Sequence, residues 1–102
     1  MAGPGAKPDP DAQPRIRLDK WLWQARFFAG RSAAAEMVSA GNLRVNSQHC
    51  RKPGHALGVG DVLTFADGNT IRVIRVRALG HRRGPASEAQ DLYDDLAPTD
   101  LE

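Results

Sequence analysis

Apolar residues recur at three- and four-residue spacing between Leu18 and Ala29: Leu18, Trp21, Leu22, Ala25, Phe28 and Ala29 share one face. The spacing predicts a first helix over about Leu18 to Phe28, broken before Gly30. Ala33, Ala34, Met37 and Val38 give a second, Ala-rich helix a shallow stripe that permits close approach to the first. Ser32 is the candidate N-cap of this second helix, and Gly41 is placed to close it in the left-handed conformation. From Leu43 the period turns from helical to alternating. Leu43-Arg44-Val45 reads as a short strand with Arg44 facing out, and Asn46-Ser47 as a turn. Gln48 to Gly60 reads as a short strand and a basic loop, punctuated by Pro53, Gly54, Gly58 and Gly60. Val62–Phe65 and Thr70–Arg77 form a hairpin across Asp67-Gly68. The return strand changes phase, with Ile71 and Val73 on one face but Ile74 and Val76 on the other. Either both faces are partly covered or a bulge falls near Val73-Ile74. Past Gly80, a short helix starts at Ala86 or Ser87, with Leu92, Tyr93 and Leu96 as its apolar side.

These elements predict an α+β fold in which two N-terminal helices pack on a small, mostly antiparallel sheet, with a short helix at the C-terminal end. The organisation expected is a Gly- and Pro-rich disordered leader over residues 1–14, one domain over residues 15–80, a basic connector and short helix over residues 81–97, and an acidic tail over residues 98–102. No apolar run approaches the ~18 residues of a membrane span, and the N-terminus lacks a signal-peptide core. The one cysteine, Cys50, excludes an internal disulfide framework and fits a reducing cytoplasm.

Charge changes the picture more than composition does. The formal net charge of +2 conceals a segregation. Residues 15–83 hold 13 of the 14 lysines and arginines against four acids, a net of +9, whereas residues 84–102 carry six acids and no base. Eleven of the basic residues are arginine, which pairs bidentately with phosphate and stacks on bases. A core so basic points to nucleic acid. Arg15 and Arg17 stand at the start of the first helix and Arg31 at the start of the second, where unpaired backbone N–H groups and the helix dipole already favour an anion.

Other residues have structural readings. Asp19 suits the first turn of its helix electrostatically or caps it, and this role is preferred over catalysis. Arg26 lies between the two faces of the first helix and is read as half of a surface ion pair. Trp23 and Phe27 fall opposite the main apolar stripe. They either stack on bases or pack beneath the C-terminal segment, and packing is preferred. Arg75 and Arg77 are read as a solvated strand face. His49, Cys50 and His55 are scattered in a turn-rich loop, so no metal site and no cofactor are expected. The acidic C-terminal helix either docks with a solvated face or screens the basic surface.

The order helix, turn, helix, short strands, with RLDKWLW, Arg31-Ser32, Gly41-x-Leu-x-Val45-Asn46 and Gly60-Asp61, resembles the S4-type RNA-binding domain. More narrowly, RLDKWLWQARFF, the segment from Arg31 to Met37, Lys52-Pro53 and GPASEA with Leu92-Tyr93 resemble the heat shock protein 15 family of small, ribosome-associated bacterial proteins. The resemblance covers about Arg15 to Leu96. It implies an S4-like αL motif whose helix pair and following strand loop bind RNA. Carried onto this chain, the RNA-binding candidates are Arg15, Arg17, Lys20, Arg31, Ser32, Arg44, Asn46, Arg51 and Lys52. The chain departs from the family pattern at Gly30, where many members carry a hydroxyl residue, and at Ser47, where glycine is usual. It also ends acidic where the better-known members continue into a long basic extension.

The function expected is a non-catalytic RNA-binding protein acting on ribosomal RNA of the large subunit, with nascent chain-tRNA as a further partner, and working as a monomer. The resemblance implies help in recycling stalled subunits that carry nascent chain-tRNA. The alternative is a general binder of structured RNA or tRNA. An enzyme is disfavoured because no nucleophile–base pair is visible. A DNA-binding helix-turn-helix is disfavoured because Ala33, Ala34, Ala35 and Glu36 do not read base edges.

Overall fold

The computed structural model describes residues 14–67 and 69–96. The leader up to residue 13 and the tail from residue 98 lie outside the described residues. The chain order is β1 (Ile16–Arg17), α1 (Leu18–Gln24), α2 (Arg31–Ser39), β2 (Leu43–Val45), β3 (Gln48–His49), β4 (Ala56–Leu57), β5 (Val62–Asp67), β6 (Thr70–Val76), α3 (Ala86–Ala89), a 3₁₀ turn (Gln90–Leu92) and β7 (Tyr93–Asp95). A five-stranded antiparallel sheet runs β3-β2-β5-β6-β7, and β1 pairs with β4 in a separate two-stranded ribbon. The architecture is α+β, as the periodicity predicts.

The core forms where the apolar face of α1 meets the inner face of the sheet. Leu18, Trp21, Leu22 and Ala25 are buried with Ala34 and Val38 of α2 and with Leu43, Leu63, Phe65, Ile74 and Val76 of the sheet. Trp21 is fully buried, and its indole Nε1–H donates to the Ala78 carbonyl at 2.9 Å. A buried indole N–H needs such a partner.

The first helix stops at Gln24, four residues short of the expected Phe28. Arg26 adopts a left-handed conformation at φ 67°, its N–H bonds to the Trp23 carbonyl, and the Phe27 N–H reaches back to Leu22. This is a Schellman ending with arginine where glycine is usual. The conformation is held by Arg26 Nε, which donates to the Gly84 carbonyl at 2.6 Å. The reversal turns Phe27 onto the sheet, where its ring meets Phe65 edge-on at 5.4 Å and Tyr93 at 4.7 Å. Arg83 covers Trp23 at 5.7 Å and donates to the Trp23 carbonyl. Both aromatics therefore pack beneath the C-terminal segment.

The second helix ends as expected: Gly41 has φ +82°, with bonds Gly41 N–H to Val38 and Asn42 N–H to Met37. Its start is two residues earlier than a Ser32 cap predicts. Extended Gly30 occupies the cap position, so Ser32 lies inside the first turn and is not the N-cap.

Asn46 and Ser47 both take positive φ, 53° and 76°, in a two-residue turn between the paired residues Val45 and Gln48. That geometry matches the right-handed strand twist even without glycine at the second position. The β5–β6 ladder runs unbroken from Val62↔Arg75 to Asp67↔Thr70, so the phase change is not a bulge. Ile74 and Val76 are buried, Val73 is half-buried and Ile71 is 57% exposed.

The C-terminal helix is shorter than predicted. It ends with the 3₁₀ turn, and Tyr93–Asp95 forms an edge strand on β6 rather than continuing helically to Leu96. Extended backbone lets the ladder satisfy β6, and the acids pair across it: Arg72 with Asp95 at 3.2 Å and Arg77 with Asp94 at 3.6 Å. Glu88 pairs with Arg82 at 2.7 Å. These acids therefore screen arginines of β6 and the connector, not those at the helix starts.

Candidate nucleic-acid interface

The organising residue of the basic face is an acid. Asp19, in the first turn of α1, has a side chain only 6% exposed. Its carboxylate takes two bonds from Arg17, from Nε at 3.1 Å and Nη2 at 3.0 Å. Arg31, the first residue of α2, approaches the same carboxylate at 3.5 Å. Arg17 and Arg31 are still 55% and 44% exposed, so each guanidinium keeps N–H donors facing solvent. One carboxylate thus holds two cations from two helix starts at a fixed spacing. The local sequence makes this possible: Arg17 precedes α1, Asp19 is two residues on, and the close packing of Ala34 brings the start of α2 alongside.

Burial alone would raise the Asp19 carboxyl, but bonding to Arg17, the charges of Arg17 and Arg31, and the Lys20 backbone N–H outweigh it and hold it below the usual carboxylate range. Asp19 in turn raises the Arg17 guanidinium, through their hydrogen bond first and their charges second, so Arg17 stays cationic. A carboxyl depressed on folding contributes stability above its unfolded pKa and loses it as pH falls through the folded value. Asp19→Asn is therefore expected to cost about 1–2 kcal/mol at neutral pH. That gap should close well below pH ~4, where Asp19 too is uncharged. Urea unfolding at neutral and strongly acidic pH measures this, and a gap unchanged in acid would contradict it.

The backbone at the first helix start is not open. The Leu18 and Asp19 N–H groups donate to the His55 and Pro53 carbonyls at 2.9 and 3.0 Å. The loop before β4 caps α1, so its side chains, not its amides, are available to an anion. The second helix begins without a side-chain cap at exposed Arg31, Ser32 and Ala33.

Glycines seat the arginines. A Cβ on Gly54 would stand 2.9 Å from Arg17 Nη1, and one on Gly58 would stand 3.1 Å from Arg15 Nη1. A Cβ on Gly41 would meet the Arg51 guanidinium carbon at 2.8 Å. Gly54→Ala is expected to push Arg17 off Asp19 and to cost about 1 kcal/mol of stability, because the buried carboxylate loses its bidentate partner. RNA affinity should fall roughly threefold. Unchanged affinity in a filter-binding titration would show that the seat does not matter.

The remaining sequence-predicted residues are distributed as follows. Lys20 is half-buried on α1, near Arg15. Arg15 also lines a pocket of about 380 Å³ with Asn46, His49 and His55. Asn46 is committed locally, donating to Asp61 at 3.1 Å and accepting from the Val62 N–H at 2.9 Å. Arg44 projects from β2 into a separate groove with Met37, Asn42 and His49. Arg51 lies against Gly41 at the far end of α2, and Lys52 is exposed. The structure therefore gathers Arg15, Arg17, Lys20, Arg31 and Ser32 about the helix starts, and sets Arg44 and Arg51 near the C-terminal end of α2. Asp19, which joins Arg17 and Arg31, and Gly54 and Gly58, against which Arg17 and Arg15 lie, are parts of this basic face that charge counting does not find. The Arg-x-Asp spacing was the available signal for the first.

Comparison with known proteins places this face in a family. The S4 domain family matches residues 16–63, a span that contains Asp19 and every candidate residue except Arg15. Heat shock protein 15 of Escherichia coli K12 is 43% identical over 82 residues, covering 80% of this chain and 61% of that protein. A homologue from Haemophilus influenzae is 40% identical over 84 residues, covering 82% and 63%. A solved structure described as trimeric heat shock protein 15 of Vibrio cholerae superposes with a TM-score of 0.77 at 38% identity, covering 81% of this chain and 83% of that one. The chain belongs to the heat shock protein 15 family. It carries that family's S4-type RNA-binding domain, with the Asp19 clamp inside it. The chain spans about three fifths of the length of the curated heat shock protein 15 relatives it matches. No helix among the described residues is long and apolar enough to cross a membrane.

Proposed function

We propose that this protein is a non-catalytic RNA-binding protein that acts in the cytoplasm on ribosomal RNA of the large subunit and assists recycling of stalled subunits carrying nascent chain-tRNA. The observation that carries the reading is the convergence of Arg17 and Arg31 on one buried carboxylate within an S4 domain. Two half-exposed guanidiniums held at one spacing fit neighbouring phosphates of a folded RNA, whose shape rather than base sequence supplies selectivity. Arg15, Lys20, Ser32 and Lys52 extend the contact, Arg44 and Arg51 add a second arm of it, and Asn46 holds the turn that presents the loop.

Phosphate contacts make affinity fall linearly with log salt. Titration of a large-subunit ribosomal RNA fragment against duplex DNA of equal length, at several salt concentrations, is expected to show tighter binding to the RNA throughout. Equal binding to both would leave a general polyanion binder. The exposed start of α2, with Ser32, Ala33 and Glu36, offers little to a DNA groove. The RNA-binding unit is a monomer in this proposal, since one chain completes the clamp. The related V. cholerae protein is described as a trimer, and a trimer obligatory for RNA binding here, seen by sedimentation velocity, would contradict that point.

A further inference from the structure

A second basic surface lies beside the clamp. A groove of about 710 Å³ opens between Ile16, Val59 and the segment Ala78–Gly80, rimmed by Arg15, Lys20, Arg77 and His81. Among the described residues no carboxylate lines it, and Asp94 pairs with Arg77 of the rim at 3.6 Å. One wall is tied to α1: Trp21 Nε1 and Gln24 Nε2 donate to the carbonyls of Ala78 and Leu79 at 2.9 and 2.8 Å. Val59 stands 60% exposed at its edge, an aliphatic side chain the core does not use. A type II turn fixes it there, with the Asp61 N–H on the Gly58 carbonyl at 3.1 Å, Gly60 at φ +96°, and the Gly58 N–H on Asp61 Oδ2 at 2.9 Å.

An apolar floor under a cationic rim suits a ligand with flat apolar faces and regularly spaced negative charges. We propose that this groove takes an unpaired stretch of RNA that runs off the folded RNA held by Arg17 and Arg31. Bases lie against Ile16, Val59 and Leu79, while Arg15 and Lys20 meet the phosphates and Arg77, paired with Asp94, closes the rim. Arg15 connects the two surfaces: it packs on Gly58 and lines both this groove and the neighbouring pocket with His49 and His55. The inference rests on the RNA-binding reading above and adds a single-strand site to it.

Two synthetic RNAs test it, one a blunt stem-loop and the other the same stem-loop with a 3′ unpaired extension of about six nucleotides. Anisotropy titrations with the full chain are expected to show the extended RNA binding about tenfold tighter. Val59→Asp, which places a carboxylate in solvent at the groove edge, should abolish that gain and leave stem-loop affinity and the unfolding midpoint unchanged. His81→Ala should reduce the gain without touching the stem-loop. Arg31→Ala should weaken both RNAs equally. An extension that adds no affinity, or a gain that survives both Val59→Asp and His81→Ala, overturns the single-strand site while the clamp stands. Displacement of the extension alone by an acidic, leucine-containing peptide, with stronger peptide binding than RNA binding, would assign the groove to a peptide and also overturn it. Failure of either RNA to bind the unaltered protein would remove the RNA-binding reading and this site with it.

Discussion

Trp21→Ala is expected to cost about 4 kcal/mol of folding stability, the largest effect of any single replacement considered. Trp21 is fully buried in the core shared by the α2 stripe and the sheet, with the Phe27 ring 6.2 Å away. Alanine would leave a cavity that the short α1 cannot collapse, since both its ends are tied, by the loop carbonyls of Pro53 and His55 at one and by the Schellman turn at the other. It would also leave the Ala78 carbonyl without its donor. A domain of this size has a stability of only about 5–10 kcal/mol, so the variant should be partly unfolded near physiological temperature. Urea denaturation at unchanged slope measures the loss. A cost below about 1 kcal/mol would mean that the helix pair is not docked as described.

Arg31→Ala is expected to weaken RNA binding roughly tenfold with little change in stability. A charge-assisted bond to phosphate is worth about 1.5–3 kcal/mol net, and each ~1.4 kcal/mol is a factor of ten. The stability cost is small because Asp19 keeps its bidentate partner Arg17, and the Arg31 contact, at 3.5 Å from a half-exposed side chain, is the weaker of the two. The slope of log affinity against log salt should also flatten by about one. Filter binding across a salt series, paired with thermal unfolding, separates the two effects. A large loss of stability with unchanged affinity would make Arg31 a structural residue and remove half of the clamp.

Sequence legibility followed the strength of local signals. Gly41 announces its own turn because a left-handed C-cap favours a residue without Cβ, and the apolar stripe names Leu18, Trp21, Leu22 and Ala25 of the core, whereas Ala29 is exposed, Phe28 half-buried and polar Gln24 fully buried. The end of α1 was hidden because Arg26 takes the same left-handed conformation, and the carbonyl that holds it belongs to Gly84, distant in sequence. The edge strand β7 is ambiguous in sequence because Leu92, Tyr93 and Leu96 suit both periods over so short a span. What decides between them is the free edge of β6 and its arginines. The two-residue strands β1 and β4 carry too few positions to show alternation.

The candidate site was legible as charge but not as geometry. Arg17 and Arg31 were marked by their place before two helices, yet nothing in spacing showed that Asp19 joins them. Only the packing of α2 on α1 brings Arg31 to that carboxylate. Ser32 suits a cap by residue type, but extended Gly30 takes that place two residues earlier. Asn46 and Arg44, adjacent in sequence to other candidates, belong to a turn and to a different groove.

Co-sedimentation of the untagged protein with separated ribosomal subunits at low and moderate salt tests whether the paired arginines act on the ribosome. The expected result is retention on the large subunit that weakens with salt, strengthens when peptidyl-tRNA is present, and falls for Arg31→Ala. No retention at low salt, or equal retention of the unaltered protein and Arg31→Ala on both subunits, would contradict it.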